Sequence, residues 1–293
     1  MKKSFWGDAA TLQVNQMKIM VVDDHPVMLK MMASLLGQEG HEVKTAKDGL
    51  SALDMLETYI PDVIFVDLVM PNIGGDKLCR IIRDRPELKD VYLVIFSDVA
   101  LEHQDQIDEL GADASISKGP GLSKHVFAAL DQYLYEVSGK KVFSQLEDPL
   151  YPLELEKFKG TTGHVMGSEE TRSRQISQQL ISSKRHFETI LNSLPYAIVE
   201  VTPEGRIILV NPAAVFLTGI PEERLLGSAV TGLFPEDERD LIKSFLETID
   251  NPSRKLPGES VRMLNGNRIS LDILPIKEEE NRSIVLVLKE AGQ

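Results

Sequence analysis

Acidic side chains close two of the apolar, strand-length runs in the sequence. Asp23 and Asp24 follow the first run, and Asp67 follows a later run, Val63–Val66. Carboxylates brought together repel one another unless a cation neutralises them, and hard oxygen ligands with room for water suit Mg²⁺. If these run ends meet in the fold, the three carboxylates therefore predict a magnesium site.

Two further runs end on a hydroxyl group and an amine. Ser97 closes the run that starts at Val91, and Lys118 follows a short run after Ala114. Lysine supplies a flexible point charge and serine a hydrogen-bond donor, and a phosphoryl group on Asp67 could use both. The alternative interpretation is structural: the acids cap helices or turns, and Lys118 pairs with one of them.

The elements that must position these side chains are five predicted strands that alternate with helices. The strands lie near residues 18–22, 42–46, 63–66, 91–96 and 114–117, and the last helix lies near 122–137. This alternation predicts an α/β doubly wound five-stranded parallel sheet covered by helices on both faces. In such a sheet, ligands bind at the edge where the strands' carboxyl ends meet. We therefore expect the run ends to lie together.

Residues 17–137 closely resemble the receiver domain of two-component response regulators. The resemblance rests on the pair Asp23-Asp24, the run Asp67-Leu68-Val69-Met70-Pro71 with Gly75 after it, Ser97 and Lys118. It implies a flavodoxin-like fold in which Asp67 accepts phosphate, as an acyl phosphate, from a histidine kinase or a phosphotransfer protein. It also implies that the receiver catalyses its own phosphoryl transfer and dephosphorylation.

The resemblance also assigns roles to the other site residues. Asp24, Asp67 and the Val69 carbonyl would bind Mg²⁺ directly, and Asp23 would act through water. Ser97 would move toward the phosphate as a switch hydroxyl. Lys118 would contact a phosphate oxygen.

The sequence departs from the receiver pattern at three positions. Gly119 follows Lys118 where many receivers have proline, so we expect a different path for that loop. Ser115 stands where an aromatic switch residue is common. The usual coupling between movement of the switch hydroxyl and an aromatic side chain is therefore not expected here. Asp98 stands where a small residue is usual. It either repels the phosphoryl group or restricts access to it, which predicts an altered acyl-phosphate lifetime, or turns outward to solvent.

The chain outside this domain divides into four parts. Residues 1–16 form an N-terminal tail, and 138–168, rich in proline and glycine, form a connector. Residues 169–194 predict a linker helix with a heptad seam made of Ile176, Leu180, Ser183, Phe187, Ile190 and Leu194. The seam has two interpretations, a dimeric coiled coil or a single amphipathic helix packed on the next domain.

Residues 186–290 resemble a PAS domain. The resemblance rests on Asn192-Ser193-Leu194-Pro195-Tyr196-Ala197-Ile198, Asn211-Pro212-Ala213-Ala214, Leu217-Thr218-Gly219 and Pro221-Glu222-Glu223-Arg224-Leu225-Leu226-Gly227. Two strands joined by a Pro203-Glu204-Gly205 turn, several helices and three antiparallel strands predict an α+β fold. The resemblance implies ligand sensing or pairing. We expect neither haem nor a flavin adduct, because this segment has no histidine after His186 and no cysteine; any other PAS ligand stays open.

The composition of the chain limits the kinds of partner that we expect it to bind. The 293 residues suffice for about two domains, and the net charge of −13 argues against general binding to nucleic acid or anionic membrane. No signal peptide or membrane-spanning run is present, so we expect a cytoplasmic protein. The single cysteine, Cys79, lies in a helical pattern typical of a buried thiol. His186 lacks the continuation typical of a kinase phosphorylation site, and we interpret it as a solvated helical histidine.

These observations predict a response regulator of a two-component phosphorelay that signals through PAS-mediated dimerisation or partner binding. No kinase, DNA-binding or cyclase pattern follows the PAS segment, so we expect no stand-alone catalytic output. Two alternatives stay open. The receiver is a phosphorylation-independent scaffold, or the PAS domain senses a ligand and controls the receiver.

Overall fold

A parallel five-stranded sheet forms the first half of the molecule. The computed structural model describes residues 16–97, 104–118, 121–138, 183, 186–246, 260–277 and 282–290. The strands are β1 (Lys18–Val22), β2 (Glu42–Ala46), β3 (Val63–Val66), β4 (Tyr92–Ser97) and β5 (Ala114–Ser117), in the order β2-β1-β3-β4-β5. All their pairings are parallel, which confirms the predicted doubly wound sheet.

Helices cover both faces of this sheet. They are α1 (Pro26–Gln38), α2 (Gly49–Leu56), α3 (Gly75–Asp84), α4 (Gln104–Glu109) and α5 (Leu122–Ser138). Helices α1 and α5 pack in one apolar cluster, while α2, α3 and α4 pack in a second cluster on the other face. The strands β3 and β4 are buried throughout, as expected for central strands covered on both sides.

The second half is an antiparallel sheet with helices. Its strands are β6 (Ala197–Val201), β7 (Ile207–Val210), β8 (Val261–Arg262), β9 (Arg268–Lys277) and β10 (Arg282–Glu290), in the order β7-β6-β10-β9-β8. Its helices are α6 (186–193), α7 (Pro212–Thr218), α8 (Glu222–Leu225) and α9 (Glu236–Leu246), with a 3₁₀ turn at Val230–Leu233. The predicted α+β arrangement of two strands, helices and three strands is therefore confirmed.

Asn211 fastens α6 to this second sheet. Its buried side-chain oxygen accepts hydrogen bonds from the N–H groups of Ile198 and Ala214, at 2.9 and 3.0 Å. Its amide nitrogen donates to the carbonyls of Leu191 and Tyr196, at 3.1 and 2.9 Å. One asparagine therefore caps α7, joins β6 and holds the end of α6.

Several sequence predictions lie outside the described residues. They concern the tail before residue 16, the connector beyond residue 138, the seam positions Ile176 and Leu180, and the departures at Asp98 and Gly119. The proposed domain limits therefore stay predictions. Within the described part, Cys79 is buried and His186 lies exposed on α6, as expected. No helix of that part has the length and apolar content needed to cross a bilayer.

Candidate functional site

The carboxyl ends of β1, β3, β4 and β5 bring the predicted side chains to one edge of the parallel sheet. Strands β1 and β3 are neighbours, with Val22 opposite Val66, and the Asp67 N–H donates to the Val22 carbonyl at 2.9 Å. This pairing places the acidic pair after β1 beside Asp67. The order in which strands are added reverses at the boundary between β1 and β3, and such a switch point is where open α/β sheets bind ligands.

Three carboxylates form a cluster that fits a divalent cation. One carboxylate oxygen from each of Asp23, Asp24 and Asp67 lies within 4.8 Å of the others. Asp23 and Asp67 are buried, while Asp24 is exposed and leaves room for water. Asp23 also accepts a hydrogen bond from the His25 N–H at 2.8 Å, which fixes its orientation. An all-oxygen set with an open side suits Mg²⁺.

Lys118 supplies the positive charge of the site. Its Nζ lies 2.6 Å from Asp23 Oδ2 and 2.8 Å from Asp67 Oδ2, and its side chain is 9% exposed. Burial alone would lower the pKa of Lys118, but the neighbouring Asp67 and Asp23 carboxylates outweigh it and raise that pKa. The sequence left open whether Lys118 pairs with one acid; in the structure it bridges two.

Burial and the neighbouring charged groups shift the pKa of the Asp67 carboxyl group. Burial raises the pKa of Asp67 to about 6, and the nearby Asp23 charge acts in the same direction. Lys118 lowers that pKa by charge and hydrogen bonding, and so does a hydrogen bond from the Val69 N–H. Near pH 7 the Asp67 carboxyl group is therefore mostly ionised, although it is largely removed from solvent.

The loop after Asp67 fits against it closely. A Cβ atom at Gly75 would lie 2.0 Å from the Asp67 carbonyl oxygen, so only glycine permits the observed path into α3. Asn72 has φ 62 and donates to Asp48 Oδ2 at 2.9 Å, while the other Asp48 oxygen caps α2 at the Ser51 N–H. The contact between Asp48 and Asn72 is not among the sequence predictions. The Pro71-Asn72 turn signal was the only local indication.

Ser97 lies at the end of β4, where the sequence predicts it. Its side chain is buried, and its carbonyl accepts a hydrogen bond from the Lys118 N–H at 3.1 Å, so β4 and β5 deliver the two residues together. Ser115 lies in β5 opposite Ile95 and is half-buried. The position where an aromatic switch residue is common therefore holds a small polar side chain in this fold.

Comparison with known proteins agrees with both halves of the fold. Residues 19–126 match the family model of the response regulator receiver domain, and residues 185–267 match that of the PAS fold. The chain carries a response regulator receiver domain followed by a PAS domain. The cluster of Asp23, Asp24 and Asp67 lies within the residues that match the receiver model.

Known relatives include two sensor histidine kinases. TmoS from Ectopseudomonas mendocina is 24% identical over 236 residues, which is 80% of this chain and 23% of that protein. RcsC from Escherichia coli K12 is 37% identical over 111 residues, which is 38% of this chain and 12% of that protein. The chain thus spans less than a quarter of either kinase. Among solved structures, chemotaxis protein CheY4 of Vibrio cholerae is 26% identical and covers 41% of this chain and 100% of its own, with a TM-score of 0.39.

Proposed function

We propose that this chain is a cytoplasmic response regulator of a two-component phosphorelay, in which Asp67 accepts a phosphoryl group from the phosphohistidine of a histidine kinase or a phosphotransfer protein. The observation that supports this most directly is the buried Asp67 carboxylate, with two further carboxylates within 4.8 Å and the Lys118 amine at 2.8 Å. A nucleophile, a cation site and a positive charge for a phosphate oxygen are what phosphoryl transfer requires.

The proposed step is a substitution at phosphorus. An Asp67 carboxylate oxygen attacks the phosphorus atom and forms the new P–O bond, while the P–N bond to the donor imidazole breaks. The imidazole nitrogen takes the electron pair and then a proton from solvent. Lys118 moves from the Asp67 carboxylate to a phosphate oxygen, and the Ser97 hydroxyl donates a hydrogen bond to another.

The acidic cluster would hold Mg²⁺ through Asp24, Asp67 and the Val69 carbonyl, with Asp23 acting through water. When bound, the ion supplies positive charge that lowers the cost of bringing a phosphoryl group beside carboxylates. Of these proposed contacts, the carboxylate cluster rests on observed geometry. The role of the Val69 carbonyl rests on resemblance to the receiver family, whereas in this structure the Val69 N–H donates a hydrogen bond to Asp67.

We propose that the output is pairing of two chains through α6 and the PAS sheet. Phe187 and Ile190 belong to the predicted seam, and they are 56% and 46% exposed on α6. Leu274 and Ile276 on β9 are 54% and 38% exposed on the outer side of the PAS sheet. Apolar side chains exposed on a helix and on an adjacent sheet favour contact with a partner, and a second copy supplies a matching surface.

The function is tested by incubating the chain with a phosphohistidine donor and Mg²⁺, then measuring label transfer and molecular size. Wild type should take up label and form a larger species, whereas Asp67→Asn should do neither. Phe187→Glu should accept label but stay small, and Thr189→Glu, on the same helix outside the seam, should behave like wild type. Equal labelling of Asp67→Asn would contradict phosphorylation at Asp67, and size that is independent of labelling would favour the scaffold alternative.

A further inference from the structure

Ion pairs join the receiver to the PAS domain. Lys77 Nζ on α3 lies 3.0 Å from a Glu222 carboxylate oxygen on α8, and Arg80 lies 3.9 Å from the other oxygen. Asp54 on α2 lies 2.9 Å from the Arg206 guanidinium. The Lys77 side chain is only 12% exposed, so this contact is partly desolvated and less screened than an ordinary surface pair.

The same contact has an apolar centre. Gly227 has φ 75, and a Cβ atom there would lie 2.9 Å from Leu53 Cδ1 and 3.9 Å from Ile73 Cδ1. Arg206 donates a short hydrogen bond to the Gly227 carbonyl. Leu53 and Ile73 are buried in an apolar cluster that continues into the PAS core. We call the receiver side, Asp54, Lys77, Arg80 and Asp84 with Leu53 and Ile73, the docking face, and residues 222–229 the docking segment.

The docking face is built on the loop that follows Asp67. Ile73 lies in that loop, and α3 begins directly after it at Gly75, whose backbone touches the Asp67 carbonyl. Asn72 binds Asp48 at the start of α2, and the Ile73 carbonyl packs against Gly49. Both helices of the docking face are therefore in direct contact with the loop, so a displacement at Asp67 reaches each of them.

The docking face also borders α6, which carries the proposed pairing seam. An open cleft of about 470 Å³ is lined by Lys77 and Arg80 from α3 and by Glu188 and Leu191 from α6. Rearrangement of the docking face would thus change the surroundings of the helix through which two chains are proposed to pair.

We propose that the docking segment is bound to the docking face while Asp67 carries no phosphoryl group, and that phosphorylation releases it. This inference rests on the proposed phosphorylation of Asp67. The phosphoryl group places about 1.5 to 2 negative charges beside the loop, where the ionised carboxylate carried one, and draws Lys118 away from the carboxylates. Because the Gly75 backbone packs against the Asp67 backbone carbonyl with no room for a Cβ atom, a shift of the Asp67 backbone would carry the loop with it, and Ile73 and α3 would then lose their fit to Gly227 and Glu222.

Thiol cross-linking of the full chain tests this release. Asp84 and Arg224 form an exposed pair 3.9 Å apart at the rim of the contact, so cysteines there perturb its centre little. Asp84→Cys with Arg224→Cys is treated with a short bismaleimide, with and without acetyl phosphate and Mg²⁺. Glu136→Cys with Arg224→Cys is the control pair, because Glu136 lies on α5, across the sheet. The native Cys79 is buried, and burial raises its thiol pKa to about 12, so it should not react.

The docked, unphosphorylated chain should cross-link faster than the control pair, and phosphorylation should slow it by about tenfold, within the usual range of allosteric coupling. Glu222→Lys should slow cross-linking without phosphate, while Glu223→Lys, the same charge change one residue on, should not. A rate equal to that of the control pair would overturn docking. An adduct at Asp67 with unchanged cross-linking would overturn release alone, whereas absence of the adduct would overturn the proposed function and release with it.

Discussion

The Lys118 amine lies 2.8 Å from Asp67 Oδ2, and it also reaches Asp23 at 2.6 Å. This bridge holds two buried carboxylates together. The same Lys118 amine is proposed to contact a phosphate oxygen, so phosphorylation of Asp67 would exchange one set of Lys118 contacts for another.

The raised pKa of Asp67 makes its ionised form costly for stability. Its pKa rises from 3.8 to about 6 on folding, so the cost is fully present above pH 6 and fades as the pH falls toward 4. In Mg²⁺-free urea titrations at about pH 7.5, Asp67→Asn should therefore have a higher free energy of unfolding than wild type. At about pH 4.5 this difference should be smaller by about 2 kcal/mol. A gap that does not change with pH would show that the folded site does not perturb Asp67.

Removing Lys118 should leave two buried carboxylates without their counter-charge. Lys118→Ala should lower the free energy of unfolding by about 3–5 kcal/mol near neutral pH, the usual cost of breaking a buried ion pair. Lys124→Ala, at an exposed position on α5, should change it by no more than about 0.5 kcal/mol. Urea unfolding of both variants measures the difference. Similar losses in the two would mean that the bridge contributes no stability.

Gly75 and Gly37 offer a matched pair of glycine substitutions in helices. A Cβ at Gly75 would meet the Asp67 carbonyl at 2.0 Å, whereas a Cβ at Gly37 in α1 meets nothing within 4 Å. Gly75→Ala should lower the free energy of unfolding by about 3 kcal/mol or more and weaken Mg²⁺ binding, because the backbone must move. Gly37→Ala should raise stability by up to about 1 kcal/mol. Calorimetric Mg²⁺ titration and urea unfolding give both readouts, and normal Mg²⁺ binding by Gly75→Ala would contradict the close fit.

Asn211 should be essential to the attachment of α6. Asn211→Ala leaves four backbone groups without its hydrogen bonds, at Ile198, Ala214, Leu191 and Tyr196. The Ala214 N–H still donates to the Asn211 carbonyl, and the Leu191 carbonyl still accepts from the Leu194 N–H. An unpaired buried group costs about 1–3 kcal/mol, so we expect a loss of about 1–3 kcal/mol from the Ile198 N–H and faster hydrogen exchange in α6. Asn192→Ala, exposed on α6 itself, is the control and should change little. Unchanged exchange in α6 of Asn211→Ala would refute the anchoring role.

The sheet and its active edge could be predicted because the relevant signals are local. Each apolar run predicts a strand, and the residue that follows the run, Asp67, Ser97 or Lys118, is then predicted to lie at the carboxyl end of that strand. The Asn72–Asp48 bond and the pairing of Lys77 with Glu222 join residues far apart in the chain. Each of these residues has the type expected on any solvated loop or helix, so no periodicity reveals its partner. The interdomain contact depends on how the two domains pack against each other, and local strand and helix patterns carry no information about that packing.

The most direct test of the account is the intact mass of the chain after incubation with acetyl phosphate. The Asp67 carboxylate would attack phosphorus and acetate would leave with the electron pair, so wild type with Mg²⁺ should gain the mass of one phosphoryl group. Asp67→Asn with Mg²⁺, and wild type with a chelator, should gain none. Equal labelling of Asp67→Asn, or an unlabelled wild type under conditions that label a known receiver domain, would contradict the claim that Asp67 is the phosphoacceptor.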